Sequence, residues 1–163
     1  MNASYGSSDA AVSACGAAAE RYAHDLGWNV LVGEGRPAVA LSVPLGHAGI
    51  DMACPLSHRV NQFLDVDRLG PVIGCPDGRQ VHLVVCRHPP GQPPEPQLDR
   101  RVAHVGVGSL VYLPPTRDPS FPEVPLVWLR EPSRRGVLPD CEELFELVRL
   151  AIGEDRRGLR EGG

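Results

Sequence analysis

Asp65-Val66-Asp67 is the most suggestive acidic pair in the chain. Alternate residues of a strand point to one face, so two such carboxylates could hold a divalent metal between them. In a turn or at a helix end the same acids are simply solvated, and Arg68-Leu69-Gly70-Pro71 directly behind them favours that setting. His82 is the second candidate. Alternation along its run puts Val81, Leu83 and Val85 on one face and His82, Val84 and Cys86 on the other. A strand histidine facing a concave sheet can bond to a nucleotide phosphate or exchange protons, whereas a half-buried one is structural. His24, His47, His58, His88 and His104 lack the HxxxH or HExxH spacing of helical zinc sites, so no site follows from them. Ser109, in Gly106-Val107-Gly108-Ser109, stands where a strand begins and not in a GxSxG elbow between strand and helix.

Composition removes other chemistries. All 16 basic residues are arginine, so there is no lysine for a Schiff base, a phosphate-loop GxxxxGK[ST] site or a kinase-type strand. The formal charge of −4 gives no global attraction for nucleic acid or anionic membranes, and any such binding must be local. Arg100, Arg101, Arg117, Arg130, Arg134 and Arg135 cluster in the second half, but Glu123, Glu131 and Asp140 partly neutralise them. The odd set Cys15, Cys54, Cys75, Cys86 and Cys141 contains no CxxC pair, which argues against a zinc ribbon or a secreted disulfide framework. Met1 to Ala10 carries no basic residue and no long apolar run follows, so a cytoplasmic protein with reduced cysteines and no membrane association is expected.

The elements that must position these groups follow from periodicity. Val12, Cys15, Ala19, Tyr22, Ala23 and Leu26 form a helical stripe over Ser8 to Leu26, with Gly27 as the stop. Trp28 to Val32 and Pro37 to Val43 read as strands around a glycine-containing loop. Pro44 to Leu69 carries little pattern beyond a strand near Ile50. Pro71 to Gly74 and Gln80 to Arg87 flank Pro76-Asp77-Gly78-Arg79, the best hairpin turn in the chain. His88 to Gln97 holds five prolines in ten residues and reads as a loop. Val102 to Val105, Leu110 to Leu113 and Leu126 to Arg130 read as three further strands. Pro139 to Ile152 reads as a closing helix ended by Gly153. The expectation is one α+β domain over residues 8–153, with a largely antiparallel or mixed sheet flanked by an N-terminal and a C-terminal helix. Flexible ends are expected at 1–7 and 154–163.

Three pieces in chain order resemble the bifunctional primase–polymerase (Prim-Pol) domain of the archaeo-eukaryotic primase superfamily. Ala17-Ala18-Ala19-Glu20-Arg21-Tyr22-Ala23 followed by Gly27-Trp28-Asn29-Val30 is similar to its opening helix and GW-x-V strand. Asp77-Gly78-Arg79-Gln80-Val81-His82-Leu83-Val84-Val85 is similar to its glycine-containing turn and histidine strand. Gly108-Ser109-Leu110-Val111-Tyr112-Leu113-Pro114-Pro115-Thr116, with Trp128 downstream, is similar to its strand, Pro-Pro-Ser/Thr and late tryptophan. The resemblance implies an RRM-like α+β core and metal-dependent nucleotidyl transfer, the activity of a DNA primase or DNA polymerase. It makes Asp65 and Asp67 the metal-holding acids for Mg2+ or Mn2+. His82, with Arg79 beside it, becomes the contact to an incoming nucleotide, and single-stranded DNA the second ligand. Counting back from Pro114-Pro115 puts Ala103 where a third carboxylate is expected, and only a shifted alignment would recruit Asp99. The family's lysines are also missing. Two functions stay open: a nucleotide- or DNA-binding domain, catalytic if Asp65, Asp67 and His82 converge, and a degenerate, catalytically silent regulatory or scaffolding module that binds a protein partner.

Overall fold

A computed structural model describes residues 5–64, 68–86, 101–117, 121, 123–133 and 138–161. The elements run α1 (Tyr5–Leu26), β1 (Val30–Val32), β2 (Val39–Ser42), β3 (His47–Ala53), α2 (Cys54–Gln62), β4 (Val72–Gly74), β5 (Arg79–Val85), β6 (Val102–Val105), β7 (Leu110–Leu113), β8 (Val127–Arg130) and α3 (Cys141–Glu161). The strands make two antiparallel sheets, ordered β1-β2-β7 and β6-β3-β5-β4-β8. The chain is therefore an α+β domain with antiparallel sheets and a helix towards each end. No helix among the described residues is long and apolar enough to cross a membrane.

The larger sheet is covered on both faces. In the β3–β5 ladder Ile50 sits opposite His82 and Ala48 opposite Val84. Directly opposed residues share a face, and alternation carries Met52 to the same side. On this face Ala48, Ile50, Met52 and Val84 form a core with Leu56 and Val60 of α2 and with Leu144, Val148 and Ala151 of α3. The reverse face carries Ile73 and Leu83, which join a second core with Cys15, Ala18, Ala19 and Tyr22 of α1 and with Val39, Leu41, Val111 and Leu113 of the smaller sheet. The two sheets pack tightly at Gly49, where an added Cβ would lie 3.0 Å from Val111 Cγ2 and 3.2 Å from Val81 Cγ1.

Two local expectations change. The stretch from Pro44 to Leu69 holds the expected strand near Ile50, as β3, and also contains α2, whose Pro55 stands in the first turn, where a missing N–H costs nothing. Its buried Leu56 and Val60 are spaced i and i+4, enough for a helix of nine residues. At the other end α3 runs past Gly153 to Glu161. A helix-interior glycine costs roughly 1 kcal/mol relative to alanine, a penalty that weakens a helix without ending it.

The residues that carry the family resemblance interlock these layers. Tyr22 Oη donates to the Pro114 carbonyl at 2.6 Å and accepts from Trp128 Nε1 at 2.8 Å, with the Trp28 ring 6.0 Å from that of Tyr22. Buried Thr116 uses Oγ1 to accept from Val39 N–H at 2.7 Å and to donate to Val39 C=O at 2.8 Å, so the Pro-Pro-Thr segment is fastened to β2. The most specific piece of the resemblance thus serves architecture.

Candidate functional site

His82 lies at the middle of β5 on the face beneath α2, and only 2% of it is exposed. Its Nε2 is 2.7 Å from Ser57 Oγ, itself fully buried on α2. The direction of that bond follows from the neighbours. Gln80 Nε2 donates to Cys54 Sγ, which turns Gln80 Oε1 towards Ser57 Oγ at 2.5 Å. Oε1 can only accept, so it takes the single hydroxyl proton, and Ser57 Oγ accepts from His82 Nε2–H. A base that activates a serine must accept that proton, so this pair is not a nucleophile and its base. Burial, assisted by the positive charge of Arg130, lowers the His82 pKa to about 4. The ring is a neutral tie between β5 and α2.

Asp51, which sequence reasoning passed over, is the one carboxylate on any strand among the described residues. It pairs with Val81 on β5 and with Ala103 on β6, so it lies next to the position where the resemblance expects an acid and the chain has alanine. Both its oxygens accept from Arg79 Nε at 2.8 Å, and Arg79 Nη2 also reaches the Asp51 carbonyl at 3.3 Å. The register puts Asp51 and Arg79 on the face opposite His82. His82 and Arg79, expected to meet one nucleotide, therefore project from opposite sides of the sheet. Asp65, Asp67 and Asp99 lie outside the described residues, as do Arg100, Arg134 and Arg135 of the arginine cluster. Arg130 of that cluster donates to the Gly70 carbonyl at 2.7 Å.

The Mg2+ or Mn2+ centre implied by the resemblance needs several carboxylate oxygens for two ions. The acids named for that centre, Asp65 and Asp67, lie outside the described residues, and the described strands offer Asp51 alone, with both oxygens on a guanidinium. The clefts carry little positive charge: Arg21 lines one of about 180 Å³, together with Asp25 and Glu131. A second, also of about 180 Å³, is lined by Asp25 and Glu131 without a basic residue. Another, of about 270 Å³, is bounded mainly by apolar side chains, among them Trp28, Leu41, Val43 and Leu83, with His47 its one titratable group.

A different donor set does converge. Cys86 follows β5, Cys141 opens α3, and His104 stands on β6; their Sγ and ring-nitrogen atoms lie within 4.8 Å of one another. Both cysteines are buried and His104 is exposed. Sequence reading missed this group because its members come from three elements far apart in the chain, with no local spacing to betray them.

No protein-family model matches the chain, and neither the curated proteins nor the solved structures contain a match to it. The likeness to primase–polymerase domains rests on the three sequence pieces alone.

Proposed function

We propose that this chain is a catalytically silent module of primase–polymerase-like lineage that acts by binding a protein partner. One observation carries the reading: two described groups that nucleotidyl transfer could call on are committed internally, Asp51 to Arg79 and His82 to Ser57. Freeing them means breaking a two-oxygen ion pair and lifting α2 from the sheet. Support for a protein partner comes from the outer face of the smaller sheet. Leu31, Leu110 and Tyr112, pairing across β1, β2 and β7, are 44–53% exposed, a run of apolar side chains typical of contact surfaces.

The test is primer extension and nucleotide binding with Mn2+, comparing the parent protein with Asp65→Ala/Asp67→Ala and with His82→Ala. Equal background signals in all three, and no salt-sensitive shift of labelled single-stranded DNA, are expected. Extension by the parent that disappears in the double variant would overturn the proposal and restore the nucleotidyltransferase reading.

A further inference from the structure

Cys86, His104 and Cys141 meet at the rim of the core between the larger sheet and α3. The register explains how. Cys86 continues β5 just beyond Val84 and Val85, on the same face as His82 and Val84. His104 occupies the same face of β6, opposite Ile50. Strand β3 lies between them. Its next residue on that face is Ala48, small enough to leave open the space through which the imidazole and the Cys86 thiol approach. Cys141 is brought in from above by the start of α3. Val85 N–H donates to Pro139 C=O at 2.9 Å, which clamps the helix entry against β5. Asp140 then caps the helix, its Oδ1 accepting from Glu142 N–H at 2.9 Å. Phe145, one turn on from Cys141, sets its ring 6.3 Å from that of His104. Gly106 backs the imidazole from the other side: a Cβ there would lie 3.1 Å from His104 Cε1.

We propose that these three residues form a zinc site, with Cys86 Sγ, Cys141 Sγ and one ring nitrogen of His104 as ligands and a fourth position open on the exposed, histidine side. The donor set is the argument. Two thiolates and an imidazole select a borderline-soft cation over Mg2+ or Ca2+, which require oxygen. A tetrahedral zinc with Zn–S near 2.3 Å and Zn–N near 2.0–2.1 Å holds its donors about 3.6–3.8 Å apart. Donors already within 4.8 Å need a contraction of at most about 1.2 Å, and the exposed His104 can supply it by side-chain rotation.

The electrostatics fit this assignment. The Cys141 thiol donates to Cys86, which lowers the Cys86 pKa, while the same bond and burial raise that of Cys141. The first turn of α3 favours negative charge on Cys141, whereas Asp140 and Glu142 beside it oppose a thiolate until a cation replaces the proton. Both thiol protons leave on binding, so affinity rises with pH. The ion would tie β6, an edge strand, to α3 across β3. Two thiols in a core with a histidine lying on Phe145 would need no cation, and the experiment separates that arrangement from a site.

The full chain, reduced and freed of metal by chelation, is titrated with Zn2+ against a chromophoric competitor and separately with Co2+. One equivalent of each is expected, with thiolate charge-transfer and tetrahedral d–d bands for Co2+. His104→Ala, an exposed change that leaves both cores intact, should weaken zinc by about tenfold or more, and Cys86→Ala or Cys141→Ala should abolish the bands. Cys54→Ser, at the exposed thiol outside the group, should leave both unchanged. Because the cysteine variants alter the core, Gly106→Val provides a second test: it displaces His104 without removing a ligand and should reproduce the His104→Ala loss. No stoichiometric uptake, uptake indifferent to His104 and both cysteines, or uptake of Cu+ with none of Zn2+ or Co2+ would each overturn the proposal.

Discussion

His82 should make this protein lose stability in mild acid, and the size of the loss follows from its position. In the fold its pKa is lowered to about 4, against 6.5 for an unperturbed histidine. The unfolded chain therefore takes up the proton first. The contribution is fully present above pH 6.5 and is lost as pH falls from 6.5 towards 4. At about 1.4 kcal/mol per pH unit the whole effect is about 3 kcal/mol, of which about 2 kcal/mol falls between pH 7 and pH 5. His82→Gln isolates it, because a glutamine amide can still donate to Ser57 Oγ but cannot titrate. Any packing cost of that change is independent of pH, and His104 and the carboxylates titrate in both proteins, so they cancel in the difference. Urea unfolding at pH 7 and pH 5 should show the parent losing about 2 kcal/mol more than the variant. In thermal unfolding the extra loss corresponds to roughly 4–8 °C for a chain of this size. Parallel pH dependences in the two proteins would refute the reasoning, because they would mean that His82 is hydrated or already charged in the fold.

Tyr22→Phe removes the hydroxyl shared by the Pro114 carbonyl and Trp128 Nε1, and should cost about 1–3 kcal/mol together with a change in tryptophan fluorescence; unchanged stability would show that water replaces the hydroxyl. Gly70→Ala places a Cβ 2.2 Å from Pro139 Cδ and 3.2 Å from the Leu83 carbonyl, atoms of a rigid ring and a backbone that cannot step aside. A loss of about 1–3 kcal/mol or more is expected in denaturant unfolding, and a neutral result would mean that the entry to α3 is not packed on Gly70. Asp51→Asn removes the charge from a pair that is about a quarter to a third exposed. It should cost only about 1 kcal/mol or less, a difference that shrinks in 1 M salt; a larger, salt-insensitive loss would mark the pair as a buried one.

Much of the fold was legible in the sequence because strands and turns advertise themselves locally. The alternation from Val81 to Cys86 separated the faces of β5 correctly, and Asp77-Gly78 marks the β4–β5 turn, where Gly78 has φ +80° and Asp77 Oδ1 accepts from Arg79 N–H. The helix α2 was hidden because its core contacts rest on very few apolar residues, which leave little periodicity to read, and its Pro55 falls in the first turn. The site was less legible. Asp51 stood in a stretch with little pattern, and its partner Arg79 became visible only when β3 and β5 were laid side by side. Asp65 and Asp67, singled out because alternate strand residues share a face, lie outside the described residues.

By itself the sequence determined which side chains share a face, where the chain must turn, and that no lysine chemistry is available. These depend on backbone geometry over a few residues and on composition. Only the tertiary structure decided what covers each face: α2 over His82, Arg79 against Asp51, and the start of α3 over Cys86 and His104. The physical reason is range. Periodicity is written into neighbouring dihedral angles, whereas the partner of a face is chosen by packing between segments whose separation along the chain carries no spacing rule.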